Sequence, residues 1–406
     1  MQTVIFTAPI LNVNAIPTIR TLIEVPDTRV ILISQEDEGK LTGGLRQRLD
    51  GFVRVENALD SAQLLRAAQH IRDRVGTIDR MFASNEQVQV PVAVVREQLG
   101  IAGMSSETML NFRDKSRMKT VLREKQIPCA RFALISDSAD ASAFIETVGF
   151  PVIAKPPAGA GAEFTYQIAD DATLQSVLAQ HRPSPDSPLL LEEFISGDEH
   201  SFDAFIVKGK VIWHSLTRYL PAPLEVKRNA WIQWRVVLPR EVDDPAYDDI
   251  RKVAKKGLKA LGAETGICHM EWFRRKDGSP AISEVGMRPP GAQITTLMSR
   301  ANDFDCLGAW ARLMITGKFT PPERKYASGC AYLRGQGHGV VRGVHGFEQI
   351  SRDLGGMITD VRLPEYGQVP TGSYEGEGFI IVRHPDTQVV EDALLQIVSN
   401  MHVTLG

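Results

Sequence analysis

The sequence predicts an α/β chain that opens as a parallel sheet wrapped by helices and continues as α+β. Three observations predict it. Apolar β-branched runs alternate with helix-spaced segments over the first hundred residues, which is the pattern of a parallel sheet covered on both faces. Two hairpin signals with Gly in the turn follow, at Lys208-Gly209-Lys210 and Lys276-Asp277-Gly278-Ser279. After Pro321-Pro322 the chain passes into short Gly-rich strands, a small β-rich C-terminal region.

In order, Thr3-Val4-Ile5-Phe6-Thr7 and Arg29-Val30-Ile31-Leu32-Ile33-Ser34 read as buried strands, with helical spacing over 15–23 between them. Residues 61–75 form an amphipathic helix with Leu64, Leu65, Ala68 and Ile71 on one side, followed by a strand at 79–83 and a helix at 86–99. No GxGxxG follows the first strand, which argues against a dinucleotide domain. A helix at 114–126 starts on Asp114 as its N-cap and stops at Pro128. Strands at 131–135, 151–155 and 189–194 then alternate with helices at 139–148 and 172–181. Next come the hairpin within 201–219, a helix at 246–261, strands at 266–273 and 281–285, and helices at 303–315 and 386–400.

At 406 residues the chain exceeds one ordinary core and suits two or three packed subdomains. Its net charge of −3 supplies no general basic field, so nucleic acid is not an expected partner. The four cysteines, Cys129, Cys268, Cys306 and Cys330, lack zinc spacing and suit reduced thiols in the cytoplasm. Met1 to Pro9 lacks the pattern of a secretory leader, and no apolar run approaches the roughly 20 residues that span a bilayer.

Three segments carry candidate chemistry. In Lys155-Pro156-Pro157-Ala158-Gly159-Ala160-Gly161-Ala162 a lysine ends a strand and small residues follow. An ammonium and close-approaching backbone N–H groups suit a polyphosphate, although a surface turn after a lysine is equally ordinary. In Leu189-Leu190-Leu191-Glu192-Glu193-Phe194-Ile195-Ser196-Gly197-Asp198-Glu199 an apolar strand ends in carboxylates. A backbone C=O at Glu193 and N–H at Ile195 match the two edges of adenine, and Glu199 suits ribose hydroxyls; a solvated acidic edge is the competing reading. In the third segment Glu271 and Glu284 lie in strand-like apolar surroundings, where hairpin pairing would bring them to one side. Facing carboxylates repel unless a cation lies between them, and Mg²⁺ with phosphate oxygens fits. Arg288 adds a forked donor for a phosphoryl group; the alternative is a buried salt bridge between Arg288 and one glutamate.

The order and spacing of these segments, with Lys115 ahead of them, resemble the ATP-grasp superfamily over roughly 113–291, nearest in style to carboxylate–amine ligases and biotin carboxylase. The resemblance implies a pre-ATP-grasp α/β domain at 1–106, the ATP-grasp domain at 107–320 with a lid at about 129–195, and a C-terminal α+β region at 321–406. It further implies that Lys115 and Lys155 hold phosphates and that Gly159 and Gly161 lie in the loop closing over them. Glu192, Glu193 and Ile195 would edge adenine, and Glu199 would meet ribose. Glu271 and Glu284 would hold Mg²⁺, or Mn²⁺ in its place, and Arg288 would meet the acyl phosphate. Taken alone, Lys115 also fits a solvated stripe with Lys119 and Arg123. One departure stands out: the family's usual Glu-x-Asn-x-Arg is here Glu284-x-Gly286-x-Arg288. Asn229 and Gln293 are candidates to replace the missing amide ligand.

The implied activity is an ADP-forming carboxylate–amine ligase acting on small molecules through an acyl phosphate, with ATP and Mg²⁺ as cofactors. A homodimer is expected on the resemblance alone. A bicarbonate-using carboxylase and a non-catalytic ATP-binding regulator are the alternatives. His269, two residues before Glu271, resembles a feature of amino-acid ligases, although a satisfied structural histidine is the commoner case. Trp213, Tyr219, Trp231, Trp234 and Trp272 are candidates for an acceptor pocket, set against the commoner role of aromatic core.

Overall fold

A computed structural model describes residues 1–12, 15–159 and 164–406. The N-terminal strands Gln2–Thr7, Thr28–Ser34, Gly51–Arg54 and Arg80–Ala83 form one parallel sheet, with Gln2–Thr7 between Thr28–Ser34 and Arg80–Ala83. Side chains alternate across its two faces. Val4, Phe6, Val30 and Leu32 enter one core with Ile19, Leu22 and Trp310. Ile5, Ile31 and Ile33 enter another with Leu64, Ala68 and Ile71 of the helix Ser61–Val75. Burial on both faces explains why these strands read as unbroken apolar runs.

The centre of the molecule is an eight-stranded sheet. Its order is Pro280–Gly286, Gly266–Arg275, Gly197–Val207, Lys210–Leu220, Arg235–Leu238, Ala327–Leu333, Gly378–His384 and Ile358–Arg362. The hairpin Gly197–Val207/Lys210–Leu220 turns at Lys208 and Gly209, whose φ values of 48° and 76° are both left-handed. Such a two-residue turn matches the twist of the strands it joins. The C-terminal strands Ala327–Leu333 and Gly378–His384 continue this same sheet, so pairing runs across position 320. A separate four-stranded sheet, with Leu189–Glu193 between Phe132–Ile135 and Val152–Lys155, and Tyr166–Ile168 beyond, carries its own core over the expected lid.

The expected helix at 303–315 is found as Cys306–Thr316, and a second helix not expected from the sequence, Ile294–Asn302, precedes it. Asp303 lies between them at φ 48°, and Asp305 caps the second by accepting from Gly308 N. A further helix, Phe347–Leu354, lies within the region read as strands. The four cysteines are free thiols. No helix among the described residues is long and apolar enough to cross a membrane.

His214, on the second hairpin strand, stacks on Phe202 with ring centroids 5.0 Å apart. Burial, with Arg324 nearby, lowers its pKa from 6.5 to about 4. A neutral buried histidine adds stability that is fully present above pH 6.5 and is lost as pH falls toward 4. Between pH 7 and 5 this group is expected to cost about 1–2 kcal/mol. Urea unfolding at the two pH values should show a smaller decline for His214→Phe than for the wild type; equal declines would exclude His214 as the titrating group.

Candidate functional site

The two long hairpins meet along Gly197–Val207 and Gly266–Arg275, whose register sets Glu271 opposite Ser201 and His269 opposite Asp203. On the other side of Gly266–Arg275, Glu271 faces Glu284 and His269 faces Gly286. Strand alternation therefore collects Ser201, Asp203, His269, Glu271, Glu284 and Gly286 on one face. Phe202, Ala204, Met270 and Cys268 turn to the opposite face and join a core with Leu122 and Leu258. A β-bulge follows the Glu271–Glu284 pair, because Trp272 next faces Ile282 and Ser283 is extra. The bulge turns the Ser283 carbonyl to Lys119, whose ammonium donates to it at 3.0 Å.

This face lines a cleft of about 540 Å³ that includes every expected site residue within the described chain: Lys115, Lys155, Gly159, Glu192, Glu193, Ile195, Glu199, Glu271, Glu284 and Arg288. Gly161 lies outside the described residues. Asp114 caps the helix Lys115–Glu124 by accepting from Ser116 N and Arg117 N, which fixes the helix start and hence Lys115. The Lys115 ammonium lies 2.9 Å from a Glu284 oxygen and donates to Gly159 O at 2.9 Å. Lys115 and Lys119 are buried, not a solvated stripe.

Glu192 joins two lysines. Its carboxylate lies 3.0 Å from the Lys155 ammonium and 3.4 Å from that of Lys119. Burial alone would raise its pKa, but Lys119 and Lys155 more than offset this and hold it below the usual range. Burial lowers the pKa of Lys119, against the pull of Glu192. The Glu193 carboxylate turns instead to Arg131, with Nε–Oε2 at 2.6 Å. Ile195 follows this strand at the cleft wall, and Glu199 stands at the start of the next strand pairing.

At the carboxylate pair, burial opposes the charge of Glu284, yet Lys115 and Lys155 hold its pKa down at about 2. Glu199 is raised well above the usual range, first by burial and then by Glu271. His269 Nδ1 lies 2.6 Å from Asp203 and Nε2 lies 3.4 Å from Glu271. Burial disfavours its charge, but Asp203 and then Glu271 raise its pKa to about 9. The imidazolium thus links two carboxylates, and its Nδ1–H is oriented by Asp203.

The structure brings in three residues that sequence reasoning missed. Glu86, which follows the N-terminal strand Arg80–Ala83, pairs with Arg288 at 2.9 Å and with Arg113 at 3.1 Å. Arg288 is therefore held by Glu86, not by either hairpin glutamate. Arg113 also donates to Gly159 O at 3.0 Å and to Ala158 O, fastening the base of the Gly-rich loop. Asp203 is fully buried behind His269. An acid inside the alternating strand Gly197–Val207 was the one available signal for Asp203; nothing local marks Glu86, whose partner is 202 residues away.

Among the aromatic candidates, Tyr219 and Trp234 border the cleft but are themselves buried core residues, as are Trp213 and Trp272. Trp231 is 67% exposed and is not part of the cleft lining, because it follows the short helix Pro223–Arg228 and points to solvent. Neither Asn229 nor Gln293 lines the cleft. Asn229 turns its amide to Glu225 O and Gln293 accepts from Thr296, so neither replaces the absent Asn at Gly286.

Residues 120–304 match the model of the ATP-grasp domain. The chain is 29% identical over 232 residues to an L-arginine-specific L-amino acid ligase of Bacillus subtilis, covering 56% of this chain and 55% of that protein. The chain thus spans about half the length of this curated relative. Its fold is similar to that of an L-amino acid ligase from Bacillus licheniformis, with a TM-score of 0.79 and 17% identity over 100% of this chain and 99% of the other. It is also similar to N5-carboxyaminoimidazole synthetase from Staphylococcus aureus complexed with ADP, with a TM-score of 0.71 and 14% identity over 98% and 97% of the two chains.

Proposed function

For a chain that carries an ATP-grasp domain, we propose an ADP-forming carboxylate–amine ligase that acts through an acyl phosphate, with an amino acid as the carboxylate. The observation that supports it best is the convergence of Lys115, Lys155 and Arg288 with the register-paired Glu271 and Glu284 in one cleft. Phosphoryl transfer to a carboxylate needs charge neutralisation and alignment rather than a protein nucleophile. The ammonium groups of Lys115 and Lys155 serve the triphosphate, and Glu192 keeps Lys155 pointed at the cleft. Arg288, held through Nε by Glu86 and through Nη1 by Pro289 O, would offer Nη2 to the transferred phosphoryl group.

The hard oxygen donors of Glu271 and Glu284 fit a divalent cation such as Mg²⁺. Bound there, the ion would neutralise charge on the phosphates and draw down the basicity of nearby oxygens. Glu193 C=O and Ile195 N–H are the proposed adenine edge, and Glu199 the ribose contact. His269, held by Asp203, lies beside Glu271 and faces Gly286 across the hairpin. The amine then attacks the acyl phosphate, forming the amide as phosphate leaves. The lid and Gly-rich loop would keep water from that intermediate.

The similarity to the L-amino acid ligases of Bacillus subtilis and Bacillus licheniformis supports an amino acid rather than bicarbonate as the carboxylate. ADP release with Mg²⁺ATP, measured against amino acids singly and in pairs and against bicarbonate, tests the proposal. Release that requires two amino acids is the expected result. Release with bicarbonate alone would assign a carboxylase, and ATP binding with silence across the panel would leave a nucleotide sensor.

A further inference from the structure

The connection between the strands Lys210–Leu220 and Arg235–Leu238 carries the short helix Pro223–Arg228. Pro223 and Leu224, both half-buried, line the cleft, and Trp234 ends the connection as a core residue. The helix reaches the lid, because Arg228 donates to Gln167 on the lid strand Tyr166–Ile168. At the far end Trp234 Nε1 donates to Pro221 O at 2.9 Å, and Gln233 Nε2 donates to Val398 O and Met401 O at 3.0 and 2.8 Å. Trp234 meets Tyr374 edge to face at 4.9 Å. Burial, then the carboxylates of Glu375 and Glu271, raise the pKa of the Tyr374 hydroxyl, while Arg288 acts on it in the opposite sense. The connection therefore stands beside the groups at which a carboxylate would be activated, whereas the proposed adenine edge begins on the lid strand Leu189–Glu193.

The middle of the connection is shaped by Arg334, the residue after the strand Ala327–Leu333. Its Nη1 donates to Val226 O at 2.9 Å, Asn229 O at 2.9 Å and Ile232 O at 3.0 Å. A helix end leaves C=O groups short of intrahelical partners, and an arginine is a fitting donor to them. Arg334 is 5% exposed, and Glu377, 3% exposed, supplies the opposing charge. Glu377 is fixed in turn by Gly335 N at 2.9 Å and Thr371 N at 3.2 Å. Buried charge of this kind is costly, and an apolar residue of similar volume often fills such a place equally well. An apolar residue could not, however, draw three carbonyls to one point.

Resting on the ligase reading of this cleft, we infer that Arg334 is a positioning residue. By gathering the carbonyls of Val226, Asn229 and Ile232 on one nitrogen, it holds the helix Pro223–Arg228 at the cleft and so sets the affinity for the amino-acid substrate, without taking part in nucleotide binding.

The test is steady-state ADP release by the full chain with Mg²⁺ATP and the pair of protein amino acids that gives the fastest release. Calorimetric binding of a non-hydrolysable ATP analogue and amide exchange followed by mass spectrometry accompany it. Arg334→Met is expected to raise the amino-acid KM about tenfold or more, with kcat and the Kd of the analogue within about threefold of the wild type. Amide exchange should quicken within 221–234 and stay unchanged in Leu189–Glu193. Arg334→Lys is expected to recover most of the KM, because an ammonium also offers several N–H groups from one nitrogen. Should Arg334→Met not fold, a Gly inserted between the exposed Ala230 and Trp231 is expected to raise the same KM, since the longer arc no longer brings the carbonyls together. An unchanged amino-acid KM in a folded variant, or an equal loss of amino-acid and analogue affinity, overturns the inference. A wild type that binds the analogue but yields no ADP with any pair would remove the ligase reading instead. Faster exchange confined to 221–234 in Arg334→Met would then still uphold the clamp, and unchanged exchange there would overturn it.

Discussion

Glu284→Gln is expected to lower ADP formation by about a thousandfold, because it removes one of two paired carboxylates from the cleft without changing side-chain shape. The amide still accepts from Lys115, whose ammonium lies 2.9 Å from the carboxylate it replaces, so the local hydrogen bond survives. Thermal unfolding of the variant should accordingly stay close to that of the wild type, which separates lost chemistry from a lost fold. Steady-state ADP production with the best substrate pair provides the measurement. A rate within about tenfold of the wild type would show that Glu284 holds no part of the activating charge.

Glu192→Leu is expected to destabilise the chain by about 3–5 kcal/mol, the usual cost of leaving buried charge without its partner. Glu192 is the carboxylate paired with both Lys119, which is fully buried, and Lys155, so its removal leaves each ammonium without that counter-charge. Urea unfolding measures the loss. Adding Lys119→Met should recover part of it, because an apolar pair of similar volume replaces a buried ion pair at little cost. A loss below about 1 kcal/mol for Glu192→Leu alone would mean that the lysines reach water or shed their protons. The same variant should weaken ATP binding, since Lys155 would lose the carboxylate that aims it.

Strands Gln2–Thr7, Thr28–Ser34 and Arg80–Ala83, both long hairpins and three strands of the separate four-stranded sheet were legible in the sequence because each depends on local periodicity and turn chemistry. The short strands Gly51–Arg54 and Tyr166–Ile168 were not. Asp114 as a cap and Lys208-Gly209 as a turn are examples in which two or three adjacent residues determine the backbone. The helix expected at 303–315 shows the limit. Residues 294–302 carry helical apolar spacing too, but the adjacent Pro289-Pro290-Gly291 and the break at Asp303 obscure where one helix ends and the next begins.

The candidate site divides along the same line. Lys155, Glu192, Glu271, Glu284 and Arg288 could be singled out because charged residues at the ends of apolar strands are costly unless they have a partner or a purpose. By itself the sequence determined which strands exist, which charges they carry and the family pattern they resemble. Only the tertiary structure decided that Glu271 faces Glu284, that Glu86 rather than a hairpin acid holds Arg288, and that Trp231 is exposed while Trp234 is buried in the core. The reason is physical: periodicity is a property of neighbouring residues, whereas register, a bulge at Ser283 and an ion pair between residues 86 and 288 arise from packing segments far apart in the chain.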